Sequence, residues 1–124
     1  MNLHFDKQAA DIMKDAQLQA KEMGNNYIGS EHLLLAIIQD TTTAFSKLLA
    51  KQCVFYFQLK EDLMILFGLQ DKEVENIQIT QVVEDIVQRS ILFAKQRKQK
   101  LVDADALSIA LLQTPSCVAI EILR

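Results

Sequence analysis

The chain writes one pattern twice. A shift of 74 positions (86 minus 12) lays Asp11-Ile12 on Asp85-Ile86 and, with no gap, Leu18 on Leu92 and Ala20-Lys21 on Ala94-Lys95. The same shift matches Leu33 with Leu107, Ala36 with Ala110, Gln39 with Gln113 and Leu49 with Leu123. Apolar positions agree where identities differ. Phe5, Ala9, Ile12, Met13, Ala16 and Ala20 recur at helical spacing, and Ile79, Val83, Ile86, Val87, Ser90 and Ala94 repeat that face. Two unrelated amphipathic helices can share a period, but register kept across a helix, a loop and a second helix identifies an internal duplication. Any fold for this chain must serve both halves.

Composition narrows the choice to helices. Three glycines and one proline in 124 residues leave little punctuation for turns and sheets, and Ala, Leu, Gln, Glu and Lys are plentiful. The length suits one compact core. The expected fold is all-α: a single domain over residues 1–124, made of two helical repeats related by a pseudo-two-fold axis. Repeat one covers about 4–67 with about four helices, a connector covers 68–78, and repeat two covers about 79–124 with three.

Local signals place the elements. A long amphipathic helix is expected from Phe5 to Met23, stopped at Gly24-Asn25-Asn26, where glycine and asparagine tolerate the left-handed backbone that closes a helix. Ser30 is the expected cap of the next helix, with Glu31 in its first turn facing the positive end of the dipole. Leu33 to Ile38 is apolar on every side, which marks a buried central helix. Shorter helices are expected around Thr42–Ala50 and Leu59–Phe67. In repeat two, Thr80 begins the long helix, Asp103 stands where Gly29 stood and is the expected cap, and Thr114-Pro115 starts a third helix. The chain ends at Arg124, opposite Ala50, so repeat two has no counterpart of Leu59–Phe67. Either the domain is cut short or the natural chain continues.

Thirteen basic and sixteen acidic side chains give a formal charge of -3, with no overall field for a phosphate backbone, so nucleic acid is not an expected partner. The first residues lack a basic region followed by a long apolar run, and Leu33–Ile38 is far short of the roughly 20 residues that span a bilayer. A cytoplasmic protein without a membrane segment is expected. Cys53 and Cys117 lack CxxC spacing and read as ordinary small apolar residues, while His4 and His32 form no local metal cluster. No cofactor or metal is expected.

Phe5-Asp6-Lys7-Gln8-Ala9 and the run Gly24-Asn25-Asn26-Tyr27-Ile28-Gly29-Ser30-Glu31-His32-Leu33-Leu34-Leu35-Ala36-Ile37 resemble the repeat of the Clp N-terminal domain family. That repeat runs approximately F-T-x-x-A, a helix, then G-H-x-x-[IV]-G-[ST]-E-H-[IL]-L-L-[AG]-[IL]. The short connector and the Gly-Ser-Glu-His form resemble ClpC and ClpA members more than ClpB disaggregases. The resemblance implies two four-helix repeats at the N-terminus of a hexameric AAA+ unfoldase, acting as a docking platform for adaptor proteins and protein substrates that pass to the ATPase ring and a Clp peptidase. No G-x-x-x-x-G-K-[ST] phosphate loop occurs in this chain, so the chain itself is not expected to be an enzyme. Repeat two reads Val102-Asp103-Ala104-Asp105-Ala106-Leu107 where the family has V-G-T-E-H-I.

In ClpC-type members the motif glutamate receives the guanidinium of a phosphorylated arginine, while threonine and helix-terminal amides hold the phosphate. Carried over by position, the resemblance implies Asp6 and Glu31 in the first half and Thr80 and Asp105 in the second. Asp6 replaces threonine and would repel a phosphate, and Asp105 is a methylene shorter than glutamate. Lys95, Arg97, Lys98 and Lys100 form a basic run that either complements a helix dipole or meets an acidic patch on an adaptor. Phe55, Tyr56 and Phe57, expected between two short helices, are either core or a hydrophobic docking surface. Two rival readings stand beside this one. One is a free-standing regulator of the same family that competes for adaptors, and the other is a small helical enzyme or ligand-binding protein sharing only the fold.

Overall fold

The structure, a computed structural model, describes residues 5–67 and 77–114. Repeat one holds α1 (Lys7–Glu22), β1 (Tyr27–Ile28), α2 (Ser30–Gln39), α3 (Ala44–Lys51) and α4 (Tyr56–Phe67), and repeat two holds β2 (Gln78–Ile79), α5 (Gln81–Gln96) and α6 (Ala104–Leu112). The all-α expectation holds, and the third helix expected from Thr114-Pro115 falls outside the described residues.

Two differences from the expected boundaries have clear causes. Ser30 does not cap α2. Gly29 is the cap residue, and His32 does the work of a capping side chain, its Nδ1 accepting the Gly29 N–H at 2.9 Å. Nor do Tyr56 and Phe57 lie between helices. They form the first turn of α4, because α3 ends in a left-handed residue, Cys53 (φ 62), and the next helical bond already runs from the Leu59 N–H to the Phe55 carbonyl at 3.0 Å.

The long helices α1 and α5 pack on the central helices α2 and α6. Along α2 every residue from Ser30 to Ile38 is buried, with Leu33, Leu34, Leu35 and Ile37 inaccessible. Leu107 of α6, the partner of Leu33, is equally inaccessible, so both repeats bury the equivalent helix. Phe45 and Leu49 of α3 and Leu59 and Leu63 of α4 close the core of repeat one.

The halves are joined crosswise. β1 and β2 pair in parallel, Ile28 opposite Ile79, and the Thr80 N–H reaches the Ile28 carbonyl at 3.1 Å. At the other seam Phe5 bridges Val102, and the Asp6 N–H reaches the Val102 carbonyl at 2.9 Å. The repeat shift carries Phe5 onto Ile79 and Ile28 onto Val102. Each contact is therefore the other with the halves exchanged, which is what a two-fold rotation produces and a translation does not. Among the described residues no single helix is long and apolar enough to cross a membrane.

Candidate functional site

Asp6 and Thr80 occupy equivalent positions, and both cap helices. The Asp6 carboxylate accepts the Ala9 N–H at 2.8 Å, and the Thr80 hydroxyl accepts the Val83 N–H at 3.3 Å. Because the seams are crosswise, Thr80 stands beside the strand that leads into α2 and Glu31, while Asp6 stands beside the turn that leads into α6 and Asp105. The backbone therefore sets Thr80 beside the approach to Glu31 and Asp6 beside the approach to Asp105, across the halves rather than within them.

The two acidic members differ in exposure. Glu31 is 4% exposed, its carboxylate folded back over Gly29 beside the Tyr27 ring. Burial raises the pKa of its carboxyl group above the ordinary carboxylate range, with its own backbone N–H working against that shift. Burial, and then the neighbouring Glu31 charge, raise the Tyr27 phenol as well. In repeat two the same fold-back is blocked, since Asp103 fills the place of Gly29 and caps α6 itself, accepting the Ala106 N–H at 2.8 Å. Asp105 accordingly points outward and is exposed.

His32 has a structural role. The ring is inaccessible, and since the Gly29 N–H is a fixed donor to Nδ1, the proton must sit on Nε2, which donates to Asn25 Oδ1 at 2.9 Å. Burial lowers its pKa to about 4, so its 3.5 Å approach to Glu31 is a contact with a neutral ring rather than an ion pair. His4 lies outside the described residues. No group of three or more His, Cys, Asp or Glu side chains able to hold a metal ion occurs among the described residues.

The two candidate docking regions meet separate cavities. The first, about 360 Å³, lies between α3 and α6 and is lined by Phe45, Leu48, Ile109 and Leu112 with Arg97 and Asp105. It brings one basic-run residue and one motif acid to the same apolar recess, while Lys95 and Lys98 stay exposed outside its lining. The second, about 470 Å³, lies where α3 turns into α4 and is lined by Ile38, Ala50, Val54, Phe55, Tyr56 and Phe57, with Lys47 also contributing. The aromatic triplet divides there. Phe55 and Phe57 are exposed, whereas the Tyr56 hydroxyl turns inward, accepting from Gln19 Nε2 at 2.7 Å and from Lys60 Nζ at 3.2 Å. Gln19, only 2% exposed, escaped the sequence reading although its place on the Ile12–Ala16–Ala20 face signals burial.

The described residues thus form a duplicated all-α fold with crosswise seams and one surface recess between its repeats. The chain belongs to the Clp repeat (R) N-terminal domain family, whose model matches residues 4–124. It is similar to the chaperone protein ClpB of Oceanobacillus iheyensis, 23% identical over 97% of this chain and 15% of that protein. It is also similar to the chloroplastic chaperone protein ClpC3 of Oryza sativa subsp. japonica, 38% identical over 32% of this chain and 4% of that protein. The chain thus spans a small part of the length of both relatives. Among solved structures it resembles the N-terminal domain of the chaperone ClpD of Arabidopsis thaliana, with a TM-score of 0.79 and 12% identity over 99% of this chain and 87% of that one. The Hsp104 N-terminal domain of Candida albicans gives a TM-score of 0.76 and 20% identity over 96% and 79%.

Proposed function

We propose that this domain docks adaptor proteins and protein substrates for a Clp unfoldase, in the cytoplasm, without catalytic chemistry of its own. The ATPase ring, the hexamer and the peptidase belong to the parent protein this reading implies. The observation that carries it is the recess between α3 and α6. Its floor is apolar, Leu48 and Leu112 are about half exposed (53% and 46%), and one cation and one carboxylate stand at the lining. Such a recess takes an apolar side chain from a partner and orients it by charge.

The test is capture from a lysate of the source organism by the immobilised chain, compared with Leu48→Asp, Ile109→Asp and Arg97→Glu variants whose folding is checked by circular dichroism. Specific partners held by the parent and lost from the variants are expected. Identical capture by folded variants would remove the recess from the mechanism, and phosphate release from ATP that persists through repurification and vanishes on mutating this chain would replace docking with catalysis.

A further inference from the structure

Helix α4 carries apolar residues on its outer side as well as its inner one. Leu59 and Leu63 face the core, while Phe57, Gln58, Glu61, Asp62, Ile65 and Leu66 are all exposed. Those six recur at i, i+1, i+4, i+5, i+8 and i+9, so they form one continuous outer face. Phe57, Ile65 and Leu66 are 83%, 74% and 67% exposed, the largest values among the large hydrophobic residues described. Large apolar side chains this exposed at both ends of one helix face mark places for a partner to cover.

The two ends of this face are complementary. At the start of α4 lies the 470 Å³ apolar cavity, with the cation of Lys47 in its lining. At the end stand two apolar knobs, Ile65 and Leu66, preceded one turn earlier by the carboxylates of Glu61 and Asp62. Neither Lys47 nor Glu61 has an ion-pair partner among the described residues. Within one molecule the knobs cannot enter the cavity, because nine residues of straight helix hold the two ends roughly 13 Å apart. An antiparallel second copy brings each knob to the other's cavity and closes the contact by a two-fold axis.

We propose that this chain self-associates as a two-fold dimer through α4, the Ile65–Leu66 end of each copy seated in the cavity at the start of the other's α4. The carboxylates of two antiparallel α4 helices approach one another near the axis, and Lys47 from each copy offsets their repulsion. The occupant of the cavity is therefore a second copy.

Sedimentation equilibrium of the chain from micromolar to millimolar concentration reads this directly, as a mass rising from the 14.1 kDa monomer toward twice that value. Ile65→Asp and Leu66→Asp, both at exposed positions, are expected to abolish the rise. Lys47→Glu should weaken association by about tenfold or more, and adding Glu61→Lys with Asp62→Lys to the same chain should restore it. Circular dichroism shows whether each variant is folded. A monomer at every concentration overturns the proposal, as does a dimer indifferent to Ile65→Asp and to the charge exchange. Binding of an unrelated apolar peptide in the cavity of a persistent monomer would assign it to a different occupant and overturn the proposal equally.

Discussion

At Gly29 the absence of a side chain decides where a charge is placed. Its backbone is extended (φ -98, ψ 175), a conformation open to any residue, so glycine is not there for flexibility. It is there for room: a Cβ would stand 1.7 Å from Glu31 Oε1. Gly29→Ala must displace the Glu31 carboxylate, the far end of a flexible side chain, so a loss of about 1 kcal/mol in urea unfolding is expected, at the low end of overpacking. Adding Glu31→Ala removes the group that clashes, so the double variant should lose less than the two single losses combined. Strictly additive losses would show that Glu31 does not lie over Gly29 in solution. The Gly-Ser-Glu-His run was legible in the sequence, but the fold-back was not, because it depends on the space left beside Tyr27 rather than on spacing along the chain.

The ends of α1 and α5 show how far a repeated element can tolerate a changed residue. Both close with the same three bonds shifted by one repeat. Met23, Gly24 and Asn25 donate to Gln19, Lys21 and Ala20 at 3.1, 3.0 and 2.9 Å, and Arg97, Lys98 and Gln99 donate to Phe93, Lys95 and Ala94 at 3.0, 3.0 and 2.8 Å. Both also require a left-handed residue, Gly24 (φ 72) and Lys98 (φ 58). Lys98 therefore sits in a conformation that disfavours a Cβ by about 1 kcal/mol. Lys98→Gly is expected to raise stability by about that amount and Gly24→Ala to lower it similarly, read as opposite shifts in melting temperature. A Lys98→Gly variant no more stable than the parent would show that the turn is unstrained. The stop after α1, the buried central helix and the Asp103 cap were readable from residue types. The start of α4 was not, since Val54, Phe55 and Tyr56 carry none of the polar cap chemistry that announces a helix.

For the molecule as a whole, the crosswise seams change what the phosphoarginine reading predicts. Thr80 with Glu31 gives the side beside α2 one hydroxyl and one carboxylate, whereas Asp6 with Asp105 gives the side beside α6 two carboxylates. Two acids together repel a phosphate, so any binding by the parent chain is expected to be weak and centred on Glu31. Calorimetric titration with free phosphoarginine should find a gain from Asp6→Thr combined with Asp105→Glu that exceeds the two separate gains, because both changes serve one side. Tight binding by the parent at two equivalent places, unaffected by Glu31→Ala, would show that these four residues do not hold the ligand. The duplication and its register were plain in the sequence. The exchange of partners was not, because it rests on a two-residue pairing and a single bridge that leave no periodic trace.

Those seams also bear on how two copies of one ancestral segment stay matched. The start of each long helix is bonded to the loop of the opposite repeat, so a substitution at Ile28 or Ile79 is felt on both sides of one seam, and one at Phe5 or Val102 on both sides of the other. Repeat two has replaced its motif glycine and histidine with Asp103 and Ala106, yet Val102 beside them is still apolar and 1% exposed. The turn before α6 thus departs from the repeat pattern at Asp103 and Ala106, while the backbone pairings that join the halves use equivalent positions in both repeats.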